Sequence, residues 1–161
     1  MKKFKKLIAV VLTVILSLSV MSVVAFASTT DSLKRTDDGT WLYMENGEHN
    51  ANYTGLVKYY DTWYYVENGV LNWDYTGPTE YYGTTYYVIK SILEWDYSSL
   101  VYVDDVWHYV ENGVYSNDYT GLTKYYGTWY YVEDGVLNWD YTGLTKYYDT
   151  WYYVENSELK W

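Results

Sequence analysis

The sequence contains no cysteine and only two histidines, His49 and His108, in 161 residues. Without thiols, no disulfide or thiolate chemistry is open to it. Two histidines and no cysteine also make a poor transition-metal site. No serine sits in a nucleophile-elbow context. Phenylalanine is confined to Phe4 and Phe26, so residues 28–161 contain none. Basic residues are scarce there too: seven remain against 21 acidic residues, a formal charge of −14. That balance excludes nucleic acid, whose phosphates it would repel, and an anionic membrane surface.

The remaining four basic residues, Lys2, Lys3, Lys5 and Lys6, precede an apolar run from Leu7 to Phe26. Ala25-Phe26-Ala27 fits the small-x-small pattern of a cleavage site. The run is also long enough for an uncleaved anchor, since ~18–20 apolar residues span a bilayer. The A-x-A ending and the abrupt change to polar sequence at Ser28 favour a signal peptide over residues 1–27. The expected product is secreted or surface-associated, with no stable membrane insertion after cleavage. Residues 28–37 read as a short linker and 38–161 as the folded array.

What the chain has in abundance is tyrosine, 25 residues, and tryptophan, nine. Both join an apolar ring to a polar tip and can sit half-buried with the tip in water. They recur with a period: TGLTKYYGTWYYV (Thr120–Val132) returns as TGLTKYYDTWYYV (Thr142–Val154), 22 residues on. At this shift Trp41, Trp63, Trp107, Trp129 and Trp151 share a column, with Thr85 as the exception. Tyr43, Tyr65, Tyr87, Tyr109, Tyr131 and Tyr153 fill another, and Tyr53, Tyr75, Tyr97, Tyr119 and Tyr141 a third. Trp73, Trp95, Trp139 and Trp161 form a fourth, and Gly55, Gly77, Gly121 and Gly143 a fifth. A fixed period of this size marks a stacked repeat architecture.

Within one copy the signals are for strands. Trp63-Tyr64-Tyr65-Val66 is rich in β-formers, and Asn68-Gly69 after it suits a turn with positive φ. The column Gly39, Asp61, Gly83, Asp105, Gly127, Asp149 predicts a second turn, with left-handed backbone at that column. Leu122–Tyr126 and Thr128–Glu133 thus read as a hairpin, and no segment after the signal peptide shows helical periodicity. One hairpin is marginal in water, but stacked copies bury their rings against each other. The expected fold is all-β: a solenoid of about six stacked β-hairpin repeats. Alternation puts Trp129 and Tyr131 on one face and Tyr130 and Val132 on the other, one face inward and one offering rings.

The run T-G-L-T-K-Y-Y-G-T-W-Y-Y-V-E-D-G (Thr120–Gly135) resembles the cell-wall-binding repeat superfamily. That group includes choline-binding repeats of Gram-positive surface proteins, glucan-binding repeats of streptococcal glucosyltransferases and repetitive oligopeptides of clostridial toxins. The resemblance implies a β-hairpin solenoid, export, and non-catalytic binding of envelope polymers or glycans. It implies ligand sites between consecutive hairpins, walled by aromatic side chains. Choline-binding repeats usually place Trp after T-G; here the column reads Leu56, Pro78, Leu100, Leu122, Leu144. On that resemblance a polysaccharide ligand stands ahead of a choline-substituted one.

The candidate ligand-binding residues are the tryptophan columns Trp41, Trp63, Trp107, Trp129, Trp151 and Trp73, Trp139, with Tyr65, Tyr109, Tyr131 and Tyr153. Catalysis is not expected. His108 takes a position held by Tyr64, Tyr86, Tyr130 and Tyr152 elsewhere, as a substituted structural residue would. A catalytic carboxylate pair should occur once, whereas Asp74, Asp96, Asp118, Asp140 and the Glu45/Glu67/Glu111/Glu133/Glu155 column recur. No calcium-loop spacing is present, and no metal or cofactor is expected. The partner expected is a cell-wall polymer or extracellular polysaccharide, plain or choline-substituted. The alternatives are a choline-binding module of a surface protein and a structural or adhesive stalk.

Overall fold

The computed structural model describes residues 31–161; the expected signal peptide lies outside them. Among the described residues the fold is all-β, with eighteen strands in one antiparallel, hydrogen-bonded succession. Among the described residues no helix is long and apolar enough to cross a membrane. Each copy is a hairpin followed by a short third strand. In the second copy these are Gly55–Tyr59, Thr62–Glu67 and Val70–Leu71; in the fifth, Gly121–Tyr125, Thr128–Glu133 and Val136–Leu137. The register pairs Leu122 with Tyr131, Thr123 with Tyr130 and Lys124 with Trp129.

The first copy begins earlier than the sequence pattern places it. Ser32–Arg35, inside the expected linker, is a strand pairing with Trp41–Glu45. Leu33 faces Tyr43 and Arg35 faces Trp41, as Leu56 faces Tyr65 and Lys58 faces Trp63. Five residues, Thr36–Thr40, separate Arg35 from Trp41, where four separate Lys58 from Trp63. That one-residue insertion breaks the 22-residue register upstream of the turn and hides the strand.

Both faces of the inner hairpins are packed, so the expected division into an inner and an outer face does not hold for them; on the sixth hairpin Leu144 and Tyr153 are exposed. Leu56 and Tyr65 of the second copy cluster with Val88 and Leu93 of the third. Val57 and Val66, on the opposite face, cluster with Leu33 and Tyr43 of the first. Likewise Tyr131 packs forward on Val154 and Leu159, while Val132 packs back on Leu100 and Tyr109. Hairpins stack face to face along an axis, so a single copy has no core of its own.

Backbone bonds stitch the stack. The Gly69 N–H donates to Tyr53 O, and Gly69 O accepts from Tyr43 N of the preceding copy, both at 2.8 Å. Gly135 repeats this with Tyr119 and Tyr109. The T-G threonine closes the turn from the other side: Thr54 Oγ1 accepts from Asn68 N and Thr120 Oγ1 from Asp134 N, both at 3.0 Å. In the first copy Asp31 Oδ1 does the same for Asn46 N. The third-column tyrosines clamp the strand start, Tyr53 and Tyr119 each donating to a leucine carbonyl at 2.6 Å.

The third-to-fourth junction is repacked. Thr85 stands in the Trp column and Pro78 in the Leu column, while Tyr115 takes the place of Leu71, Leu93, Leu137 and Leu159. The Tyr115 ring lies 6.2 Å from Tyr87 and 5.4 Å from His108. Its hydroxyl is buried without a hydrogen-bond partner, and burial pushes the phenol up. An unsatisfied buried hydroxyl costs about 1–3 kcal/mol. Tyr115→Phe should therefore raise stability by about 1 kcal/mol in chemical denaturation. A loss of that size would show that the hydroxyl is bonded in solution.

Candidate functional site

The hairpin turns position the site. Sequence periodicity assigns the left-handed position to the Gly/Asp column, and the structure places it there at Gly39, Gly83, Asp105 and Gly127. At Asp61 and Asp149 it does not; the preceding Tyr60 and Tyr148 alone take positive φ, 52° and 50°. Aspartate meets a steric cost there that glycine does not; Asp105 bears it in the one turn of this column where Asp104, not tyrosine, precedes aspartate. Tyr82 and Tyr126 are left-handed too, at 48° and 44°. Bulky residues rarely hold such backbone, and these four rings are 82–92% exposed. Each is held edge-on by its neighbour, with Tyr81–Tyr82 at 4.5 Å and Tyr59–Tyr60, Tyr125–Tyr126 and Tyr147–Tyr148 at 4.6 Å.

The inner tyrosine of each pair meets a tryptophan of the preceding copy. Trp63–Tyr81 and Trp129–Tyr147 pack edge to face at 4.9 and 4.8 Å, Trp41–Tyr59 and Trp107–Tyr125 at 5.3 and 5.0 Å. The result is a Trp–Tyr–Tyr trio at four of the five junctions. At the third-to-fourth junction Thr85, Val103 and Asp104 occupy those columns. Burial pushes the phenols of Tyr81, Tyr125 and Tyr147 up, reinforced by the adjoining turn tyrosine. All three are neutral hydrogen-bond donors at physiological pH.

Two trios open into grooves of similar size. One, about 550 Å³, is lined by Tyr43, Tyr53, Leu56, Trp63, Tyr81 and Tyr82, with Asp31, Glu45, Glu80 and Lys58. The other, about 520 Å³, is lined by Tyr109, Tyr119, Leu122, Trp129, Tyr147 and Tyr148, with Glu111, Lys124 and Lys146. Leu56 and Leu122 are buried beneath these grooves. Leu56, Leu100 and Leu122 are thus part of the core, whereas Leu144 of the last copy is exposed; the exposed turn tyrosines rise beside the buried leucines.

The eleven sequence candidates fall into four places. Trp41, Trp63, Trp107 and Trp129 are half-buried members of the trios. Tyr65, Tyr109 and Tyr131 are core residues, buried against the next copy. Trp151 and Tyr153 are exposed on the sixth copy. Trp73 and Trp139 stand outside the grooves, 50% and 52% exposed, edge-on to Tyr64 and Tyr130 at 6.0 Å. The turn tyrosines are the residues sequence reasoning did not single out. Their Tyr-Tyr doublet was visible, but a second strand tyrosine and a left-handed turn tyrosine read alike.

The remaining polar candidates are structural. His49 Nε2 donates to Gly69 O at 3.1 Å. His108 is half-buried, and desolvation pushes its imidazole down against the opposing pull of Asp104. Among the described residues no group of three or more His, Cys, Asp or Glu side chains is placed to hold a metal.

Fold and site together define a hairpin-repeat protein with aromatic grooves between consecutive copies. The choline-binding repeat family matches residues 52–72, 96–114, 118–138 and 140–157. The chain carries choline-binding repeats, which fit the cell-wall-binding repeat superfamily. No curated protein matches it. Similar solved structures include CbpJ from Streptococcus pneumoniae, at 23% identity and TM-score 0.38, over 81% of this chain and 42% of that one. Choline binding protein F from Streptococcus pneumoniae aligns at 21% identity and TM-score 0.36, over 81% and 42%. Alternansucrase in complex with isomaltotriose aligns at 15% identity and TM-score 0.40, over 80% and 10%. The chain spans less than half the length of each of these proteins.

Proposed function

We propose that this protein is a non-catalytic module, secreted or held at the cell surface, that binds a choline-substituted envelope polymer through its inter-hairpin grooves. The observation that carries this reading is the recurring Trp–Tyr–Tyr trio. Aromatic faces attract a quaternary ammonium group by about 0.5–2 kcal/mol per contact. Such sites are individually weak and gain through effective concentration on one polymer. The Leu column no longer argues for a plain polysaccharide, because Leu56 and Leu122 are buried in the core.

A second reading rests on a separate surface. Trp73 and Trp139 are half-exposed beside an amide locked to a carboxylate, Asn72 to Glu67 at 2.8 Å and Asn138 to Glu133 at 2.7 Å. A flat ring flanked by fixed polar groups suits stacking of a neutral sugar. The two readings separate by competitor. Under the first, the protein is retained on choline-bearing polymer, released by free choline, and Trp63→Ala weakens retention at least tenfold. Retention on plain glycan that free choline does not disturb would support the second reading instead. Retention on neither, with the β-fold intact by circular dichroism, would leave the structural-stalk alternative.

A further inference from the structure

We propose that the four trios are not equivalent, and that the Trp63–Tyr81–Tyr82 groove is the quaternary-ammonium site of this chain. This rests on the choline reading above and adds which groove is used and why. The residue before the inner tyrosine is Lys58, Lys124 or Lys146 in three trios, and Glu80 in the fourth. Glu80 lines the Trp63 groove together with Asp31 and Glu45, against one cation, Lys58. The Trp129 groove has the opposite balance, Lys124 and Lys146 against Glu111.

The Trp129 groove also holds a cation of its own. Lys124 Nζ lies 5.9 Å from the Trp129 ring centroid, the one cation–π pair among the described residues. A ring face attracts a cation through its quadrupole, and Lys124 already occupies that attraction. Lys146 approaches Asp149 at 3.3 Å, but both side chains are exposed, and such a pair is screened and weak. It does not give the groove the three carboxylates that line the Trp63 groove. The other two trios are disfavoured separately. Trp107 is covered by Tyr102, ring to ring at 5.1 Å. Trp41 faces Arg35 across the hairpin, with Lys58 before Tyr59.

The test is a choline chloride titration of the whole protein followed by indole N–H resonances, assigned with single Trp→Phe variants. The Trp63 indole should saturate at a choline concentration at least tenfold below that for Trp129. Glu80→Lys should raise the Trp63 midpoint about tenfold. The double variant Lys124→Gln/Lys146→Glu should lower the Trp129 midpoint by a similar factor. The uncharged isostere 3,3-dimethylbutanol should show no preference between the grooves, since its shape is kept and its charge removed. Equal midpoints for Trp63 and Trp129, unmoved by these substitutions, would overturn the inference and leave the choline reading standing. No indole response to choline in a folded protein would overturn both.

Discussion

Gly135→Ala should destabilise the protein by about 3 kcal/mol, whereas Gly127→Ala should cost about 1 kcal/mol. Both glycines hold positive φ, 77° and 94°, so both substitutions meet the left-handed penalty. They differ in what surrounds the new methyl group. At Gly127 nothing lies within 4 Å, but at Gly135 a Cβ would fall 2.5 Å from Ser116 O and 2.7 Å from Asn117 Cα. Those are backbone atoms of the preceding link in the stack and cannot rotate away. Gly69 is as tight, 2.3 Å from Asn50 O. The column also holds its own control, because Ser91 and Ser157 occupy it, fully buried at φ 69° and 68°. Their hydroxyls donate to Tyr65 O and Tyr131 O at 3.1 and 3.2 Å. Gly135→Ser should therefore cost less than Gly135→Ala, since the hydroxyl regains a bond to the Tyr109 carbonyl. Equilibrium denaturation of the three variants decides it. Equal losses for Gly127→Ala and Gly135→Ala would show that the copies are not this close in solution.

The second large effect is on alkaline stability. Burial pushes the phenols of Tyr53 and Tyr75 up to about 12, and it raises Tyr119 as well. Tyr53 and Tyr119 donate to backbone carbonyls at 2.6 Å, and Tyr75 donates to Pro78 O, bonds that only the protonated phenol can make. In the unfolded chain these groups ionise near their ordinary value of about 10. The folded state therefore holds protons that the unfolded state releases, and stability must fall as pH rises. The stabilisation is fully present below about pH 10 and is lost progressively toward about pH 12. Denaturation midpoints should be level from neutral pH to about 9, then drop steeply, with tyrosinate absorbance appearing together with loss of β-structure. Tyr53→Phe should lower stability at neutral pH through the lost bond and flatten the alkaline slope. A midpoint independent of pH through this window would mean that these hydroxyls face water.

The residues behind these two experiments were legible in the sequence to different degrees. The dipeptides Asn68-Gly69 and Asp134-Gly135 are local turn signals, so both glycines were recognisable from their neighbours. Why Ser91 and Ser157 can replace glycine was not, because the hydroxyl's partner lies 26 residues away in another copy. The T-G threonine was visible as a column, but its role as acceptor for a turn amide 14 residues on required the folded loop.

The 22-residue period by itself determined the architecture. Equal spacing of strand-forming rings and turn residues forces equivalent hairpins, and hairpins this short are stable only when stacked. Composition likewise determined that the rings serve as core and surface together, since no phenylalanine is available after residue 27. The tertiary structure decided which faces meet. Alternation along a strand distinguishes two sides of Trp63-Tyr64-Tyr65-Val66 but cannot say that one packs forward and the other back. It also decided the trio, because Trp63 meets Tyr81 of the following copy, 18 residues on. Only that contact brings Glu80 to the Trp63 groove, and the equivalent contact brings Lys146 to Trp129. The charge of each groove is set by residues from adjoining copies. It depends on how hairpins stack, a long-range packing result that local propensity does not encode.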